Sequence, residues 1–206
     1  MRIALFALVL FCVWHMHPRE ELASGELTLF IEHNVLDVAK TPPDEVRLKH
    51  LLASLSDGQF DQLPEHWRQD MARLVRNDSC REYDTAIWFA VEGDRVRYML
   101  AKAQMMVESQ CRPTVIGGGT DYGLFQVQHR ACKDVGVDGD LLDPYINVDC
   151  ALAYSQAICQ RYGVCATVDR LVAYNAGPTG SEKIKDKKSF DYVRRVHYAL
   201  TLAERG

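Results

Sequence analysis

The sequence predicts a mainly α-helical protein, with a small loop or β-hairpin beside its best helix and a helical N-terminal extension. Three observations carry this prediction. Apolar residues recur at helical spacing in several stretches, cap and stop residues bracket those stretches, and Gly117-Gly118-Gly119 form one conspicuous break.

At the N-terminus, Met1-Arg2 precedes an uncharged run from Ile3 to Met16. That run is short for a bilayer span, which needs about 20 apolar residues, and normal for the core of an export signal. We therefore read 1–25 as a signal peptide or signal anchor and 26–77 as a helical extension. In the extension, Asp44 opens an amphipathic run through Val46, Leu48, Leu51, Leu52 and Leu55, closed by Ser56-Asp57-Gly58. A second helix from Pro64 carries Trp67, Met71, Leu74 and Val75 on one face. Packing against the C-terminal domain is the simplest use of both helices.

From 78 to 206 we place the catalytic domain. Its best helix runs from Asp94 to Gln110, with Asp94 as the cap. Val96, Met99, Leu100, Ala103, Met106 and Val107 form one buried stripe along it. After the glycine loop, Asp143-Pro144 is a helix start, with Asp at the cap and Pro at the first helical position. That helix ends at Gly163. Another runs from Thr167 to Tyr174, closed by Asn175-Ala176-Gly177-Pro178, and the last spans Ser189 to Glu204.

Bulk properties narrow the function. The net charge of −4 lacks the basic footprint of a nucleic-acid binder, so no nucleic-acid partner is expected. Of seven cysteines, Cys12 lies in the N-terminal apolar run. The other six are Cys80, Cys111, Cys132, Cys150, Cys159 and Cys165. In an exported protein these imply three disulfides, although the sequence alone allows fifteen pairings. We expect Cys80 with Cys111, Cys132 with Cys150, and Cys159 with Cys165. No cofactor and no metal are expected, since a zinc site using His129 and Cys132 fits no common ligand spacing.

Glu108 closes the apolar helix just before a Cys-Arg-Pro break. A carboxyl half-buried there has a raised pKa and can serve as a general acid for glycosidic cleavage. Position alone does not separate this from an exposed glutamate at a helix end, which is the commoner case.

Several motifs alter that balance. Glu108-Ser109, Gly123-Leu124-Phe125-Gln126 and Ala173-Tyr174-Asn175-Ala176-Gly177 occur in this order. Between the last two lies Leu142-Asp143-Pro144-Tyr145-Ile146-Asn147-Val148, and Tyr192-Val193-Arg194-Arg195-Val196 closes the set. Together they resemble the soluble lytic transglycosylase (SLT) family, whose patterns read E-S, G-L-M-Q, D-P-x-x-N-I, A-Y-N-x-G and Y-V-x-x-V. The likeness covers about residues 80–206, and the order carries more than any single motif.

The resemblance implies a lysozyme-like α fold acting on the glycan strands of peptidoglycan. It makes Glu108 the proton donor and afterwards the base, with the substrate's N-acetyl group stabilising the developing charge. The muramyl C6 hydroxyl then attacks, giving a 1,6-anhydro sugar in a lyase-type cleavage. It further places Ser109, Thr120, Asp121, Tyr122, Gly123, Leu124, Phe125, Gln126, Tyr174, Asn175 and Tyr192 at the substrate, with Tyr174 hydrogen-bonded to the catalytic carboxylate or the sugar.

The chain departs from the pattern in three ways. Phe125 stands for the usual Met. The loop before the motif has Ile116-Gly117-Gly118-Gly119 instead of small polar residues, which leaves Thr120 as its one hydroxyl and opens the question of what holds the acetamido group. Asp121-Tyr122 precedes the motif, and an Asp121 that activates water would make the enzyme a hydrolysing muramidase, like goose-type lysozymes. A third reading is a non-catalytic wall-docking part of an envelope-spanning machine. The expected setting is the periplasm or cell envelope, with a conjugation, secretion or phage-entry apparatus as the further partner and membrane contact only through the N-terminal segment. The basic run Lys183, Lys185, Lys187, Lys188, Arg194 and Arg195 reads as a solvated face.

Overall fold

The computed structural model describes residues 44–205. The expected signal segment, Cys12 and the first part of the extension lie outside them. Helix α1 (Asp44–Leu55) and helix α2 (Glu65–Arg76) precede α3 (Asp84–Ala90) and α4 (Arg95–Ser109). A hairpin of β1 (Ile116–Gly117) and β2 (Asp121–Tyr122) comes next, then α5 (His129–Asp134) and α6 (Pro144–Tyr162). The chain ends with α7 (Thr167–Ala176), α8 (Pro178–Ser181) and α9 (Asp191–Arg205). The fold is mainly α, as expected, and the hairpin pairs Ile116 with Tyr122 and Gly117 with Asp121 in antiparallel register.

Helix α4 lies at the centre. Asp94 caps it, accepting from the Val96 and Arg97 amides at 2.9 and 3.0 Å. Met99, Ala101, Ala103, Met105 and Met106 are buried along it, and α9 covers it with Tyr192, Val193, Val196, Ala199 and Leu200. Leu48, Leu51 and Leu55 of α1 and Trp67 and Met71 of α2 enter the same cluster. The described part of the expected extension thus shares one core with the helices after residue 78. Burial of each such side chain contributes about 1.5–3 kcal/mol.

Three short helices at 84–90, 129–134 and 178–181 escape the sequence reading. None is long enough to display a helical repeat, and Pro178 reads as a stop where it opens the next turn. The last helix begins at Asp191, two residues later than expected, because Ser189 hydrogen-bonds Asp186 through its amide and hydroxyl instead.

The six cysteines form the three expected pairs, Cys80–Cys111, Cys132–Cys150 and Cys159–Cys165. With its sulfur bonded to Cys150, Cys132 is no zinc ligand. Cys132–Cys150 staples α5 to α6 across 18 residues, with both partners buried. Replacing both by Ala is expected to lower the unfolding free energy by about 3 kcal/mol, read from a urea titration. The pair Cys159–Cys165 closes only six residues and should stabilise less. Among the described residues, no helix is long and apolar enough to cross a membrane.

Candidate active site

The site is assembled where the C-terminal end of α4 meets the hairpin, α6 and α7. Helix α4 stops because Gln110 and Cys111 both adopt left-handed backbone (φ 54° and 58°), which turns the chain away just after Glu108. The Glu108 carboxyl is thereby left half-buried at the edge of the core. Tyr192 of α9, itself buried, donates its hydroxyl to Glu108 Oε1 at 2.6 Å. Gln104, one turn before Glu108 on the same face, donates from Nε2 to the Tyr192 hydroxyl at 3.4 Å. The Tyr192 proton is thus directed at the carboxylate.

These surroundings set the acidity of Glu108. Burial pushes its carboxyl up to about 7, the negative charge of Asp121 adds to the rise, and the Tyr192 hydrogen bond opposes both. A carboxyl of this kind holds a proton near neutral pH and can give it up. Because the Tyr192 bond favours the charged form, Tyr192→Phe should raise the pKa further. The alkaline limb of the pH–rate profile should then move upward from about 7, whereas an unmoved limb would separate Tyr192 from the titration of Glu108.

Glu108 opens into a cleft of about 360 Å3 whose lining includes Asp121, Gln126, Gln128, Tyr154, Tyr174 and Asn175. Two clamps hold the hairpin wall of this cleft. The first is Asn147 on α6, fully buried. Its Nδ2 donates to the carbonyls of Tyr122 and Leu141 at 2.8 and 2.7 Å, and its Oδ1 accepts from the Phe125 amide at 2.8 Å. Gly123 makes room for it: at φ 73°, a side chain there would collide with the Asn147 amide and the Leu141 carbonyl. The second clamp is Gln126, whose Nε2 donates to Val115 and Gly123 carbonyls at 3.1 and 2.8 Å. Its Oε1 occupies the space a side chain at Gly117 would need.

Of the residues expected at the substrate, the cleft brings together Glu108, Asp121, Gln126, Tyr174 and Asn175. Others sit elsewhere. Ser109 is buried and donates to the Met105 carbonyl, so it finishes the helix instead of facing a sugar. Leu124 and Phe125 are core residues, 0% and 1% exposed. Gly123 is buried behind the wall it shapes. Thr120 is exposed in the hairpin turn, and Tyr122 lies with its ring 4.8 Å from that of His129. Tyr192 is beneath Glu108, not on the cleft surface.

One role is exchanged. The carboxylate's tyrosine partner is Tyr192; the Tyr174 hydroxyl donates at 3.0 Å to the carbonyl of Phe125. Tyr174 is directed there because its ring leans on Tyr154, with centroids 5.7 Å apart. Tyr154, Gln128 and Asn147 are the functional positions the sequence reading missed. Tyr154 shares a helix face with Asn147 and Ala151, the signal by which it was identifiable.

The fold and the half-buried acid in a cleft define a lysozyme-like α protein. A family model described as the transglycosylase SLT domain matches residues 86–194, which is more than half of the chain, and the protein belongs to that family. Its function is accordingly of the lytic-transglycosylase type, with peptidoglycan as the implied substrate. No curated protein matches the chain in sequence.

Proposed function

We propose that this protein is a lytic transglycosylase that cleaves the bond between N-acetylmuramic acid and N-acetylglucosamine, opening or remodelling the cell wall locally. The observation that carries the reading is Glu108, a carboxyl raised to about 7 at the wall of a sugar-sized cleft and held by Tyr192. In the first step protonated Glu108 gives its proton to the leaving glycosidic oxygen. As the C1–O bond breaks, the muramyl acetamido oxygen bonds to C1. Glu108, now a carboxylate, takes the proton of the C6 hydroxyl, whose oxygen attacks C1 and releases the acetamido oxygen. The product is 1,6-anhydro-N-acetylmuramic acid, and no water is consumed. Holding the hydroxyl in the cleft makes the closing step effectively unimolecular.

The three disulfides support an exported protein acting in the periplasm or cell envelope. Local opening of the wall would serve a conjugation, secretion or phage-entry apparatus. Asp121, which lines the same cleft, supports the second reading of a hydrolysing muramidase in which it activates water. Digestion of purified sacculi in 18O-labelled water separates the readings. We expect unlabelled anhydro-muropeptides. Labelled reducing ends would establish the hydrolase, and binding without release would leave a wall-docking component.

A further inference from the structure

Substrate-assisted cleavage requires the acetamido group to be turned so that its oxygen reaches C1, and its N–H then needs an acceptor. A hydroxyl is the simplest acceptor, but none of the residues lining the cleft is a Ser or Thr. Thr120, the one hydroxyl of the glycine loop, is exposed in the hairpin turn and is not part of the lining. The hydroxyls of Tyr174, which donates to the Phe125 carbonyl, and Tyr154 also line the cleft, but as neutral acceptors they bind an N–H more weakly than a carboxylate does.

Asp121 is differently placed. It stands at the start of β2, half-buried, in the same lining as Glu108. Gln128 donates from Nε2 to its Oδ1 at 2.7 Å, which fixes the carboxylate and keeps Oδ2 free to accept. Oδ2 lies on the side of Gly118, where an added side chain carbon would stand at an ordinary 3.7 Å contact, so the turn leaves that oxygen room for a partner. Glu108 and Asp121 line one cleft, and the negative charge of Asp121 adds to the rise of the Glu108 carboxyl.

We propose that Asp121 receives the acetamido N–H of the muramyl sugar, orienting the group for attack and stabilising the positive charge of the cyclic oxazolinium that it forms. The inference rests on the cleavage reading above and names its specificity-determining residue. The N–H proton stays on nitrogen throughout, so Asp121 exchanges no proton and only Glu108 does acid–base work. A carboxylate suits this task better than a hydroxyl, because its attraction for the N–H grows as charge develops in the transition state. On this view Gln128 is a positioning residue for Asp121.

The test uses the full chain and two readouts. The first is calorimetric binding of the thiazoline analogue of N-acetylglucosamine, a sulfur mimic of the bicyclic intermediate. Asp121→Ala should weaken binding about tenfold or more, and Asp121→Ser should recover part of the loss. The second is sacculus digestion. Here Asp121→Ala should lower kcat about 100-fold with KM within a few-fold, and the residual product should remain anhydro. Asp121→Asn, which keeps the shape without the charge, is expected to follow the same direction and guards against misfolding of the Ala variant. Unchanged thiazoline affinity, or digestion within twofold of the parent, would overturn the assignment. So would reducing-end products that vanish with Asp121, since Asp121 would then be the base for water. If the parent protein releases nothing from sacculi, the cleavage reading fails, and the thiazoline titration still decides whether Asp121 binds the acetamido group.

Discussion

Glu108→Gln should abolish release of muropeptides from sacculi while leaving the fold intact. General acid–base groups contribute about 10²–10⁴-fold, and Glu108 acts in both halves of the proposed reaction, so the loss should fall at the upper end. Gln keeps the volume and can still accept the Tyr192 hydroxyl. Its effect on stability has a defined sign. The carboxyl is raised from 4.5 to about 7 by folding. Its stabilising contribution is therefore complete below about 4.5 and is lost as pH rises through 7, on the order of 3 kcal/mol in all. The Gln variant does not ionise. Relative to the parent it should melt at a higher temperature at pH 8 than at pH 4, in parallel thermal melts. Retained muropeptide release would remove Glu108 from the mechanism.

Asn147→Ala should cause the largest loss of stability of any single polar substitution in the cleft wall. It removes three hydrogen bonds at once, to the Phe125 amide and to the Tyr122 and Leu141 carbonyls. Each buried group left without its partner costs about 1–3 kcal/mol, so a total of roughly 3–5 kcal/mol is expected from the shift in urea midpoint. Because the same bonds hold β2 and the adjoining Phe125 segment, activity should fall under conditions where the variant is still folded. Asn147→Asp should do no better, since a carboxylate cannot donate to the two carbonyls and adds a buried charge. A stability within about 1 kcal/mol of the parent would show that the wall does not depend on this clamp.

Both residues also mark how far the sequence can be read. Helix α4 was legible because its stripe and its Asp94 cap are local signals, and the start of α6 was legible from Asp143-Pro144 for the same reason. Glu108 was identifiable only through the order of motifs, since burial, not residue type, makes it an acid. The role of Asn147 is not legible from its motif, because a polar residue on a helix reads as a surface position and its three partners lie 6 to 25 residues away. The exchange between Tyr174 and Tyr192 has a related cause. A tyrosine hydroxyl looks alike in either motif, and only the packing of α9 on α4 gives the carboxylate to Tyr192. The short helices 84–90 and 129–134 left no periodic trace, as they make two turns at most.

The central claim is that burial holds a proton on Glu108 near neutral pH for transfer to the glycan. Carbon-13 NMR titration of the Glu108 carboxyl tests this most directly, with the Glu108→Gln variant identifying the resonance. A midpoint of about 7, matched by the alkaline limb of the sacculus-cleavage profile, is the predicted result. A midpoint near the ordinary 4.5, or a limb that ignores the Glu108 titration, would contradict it.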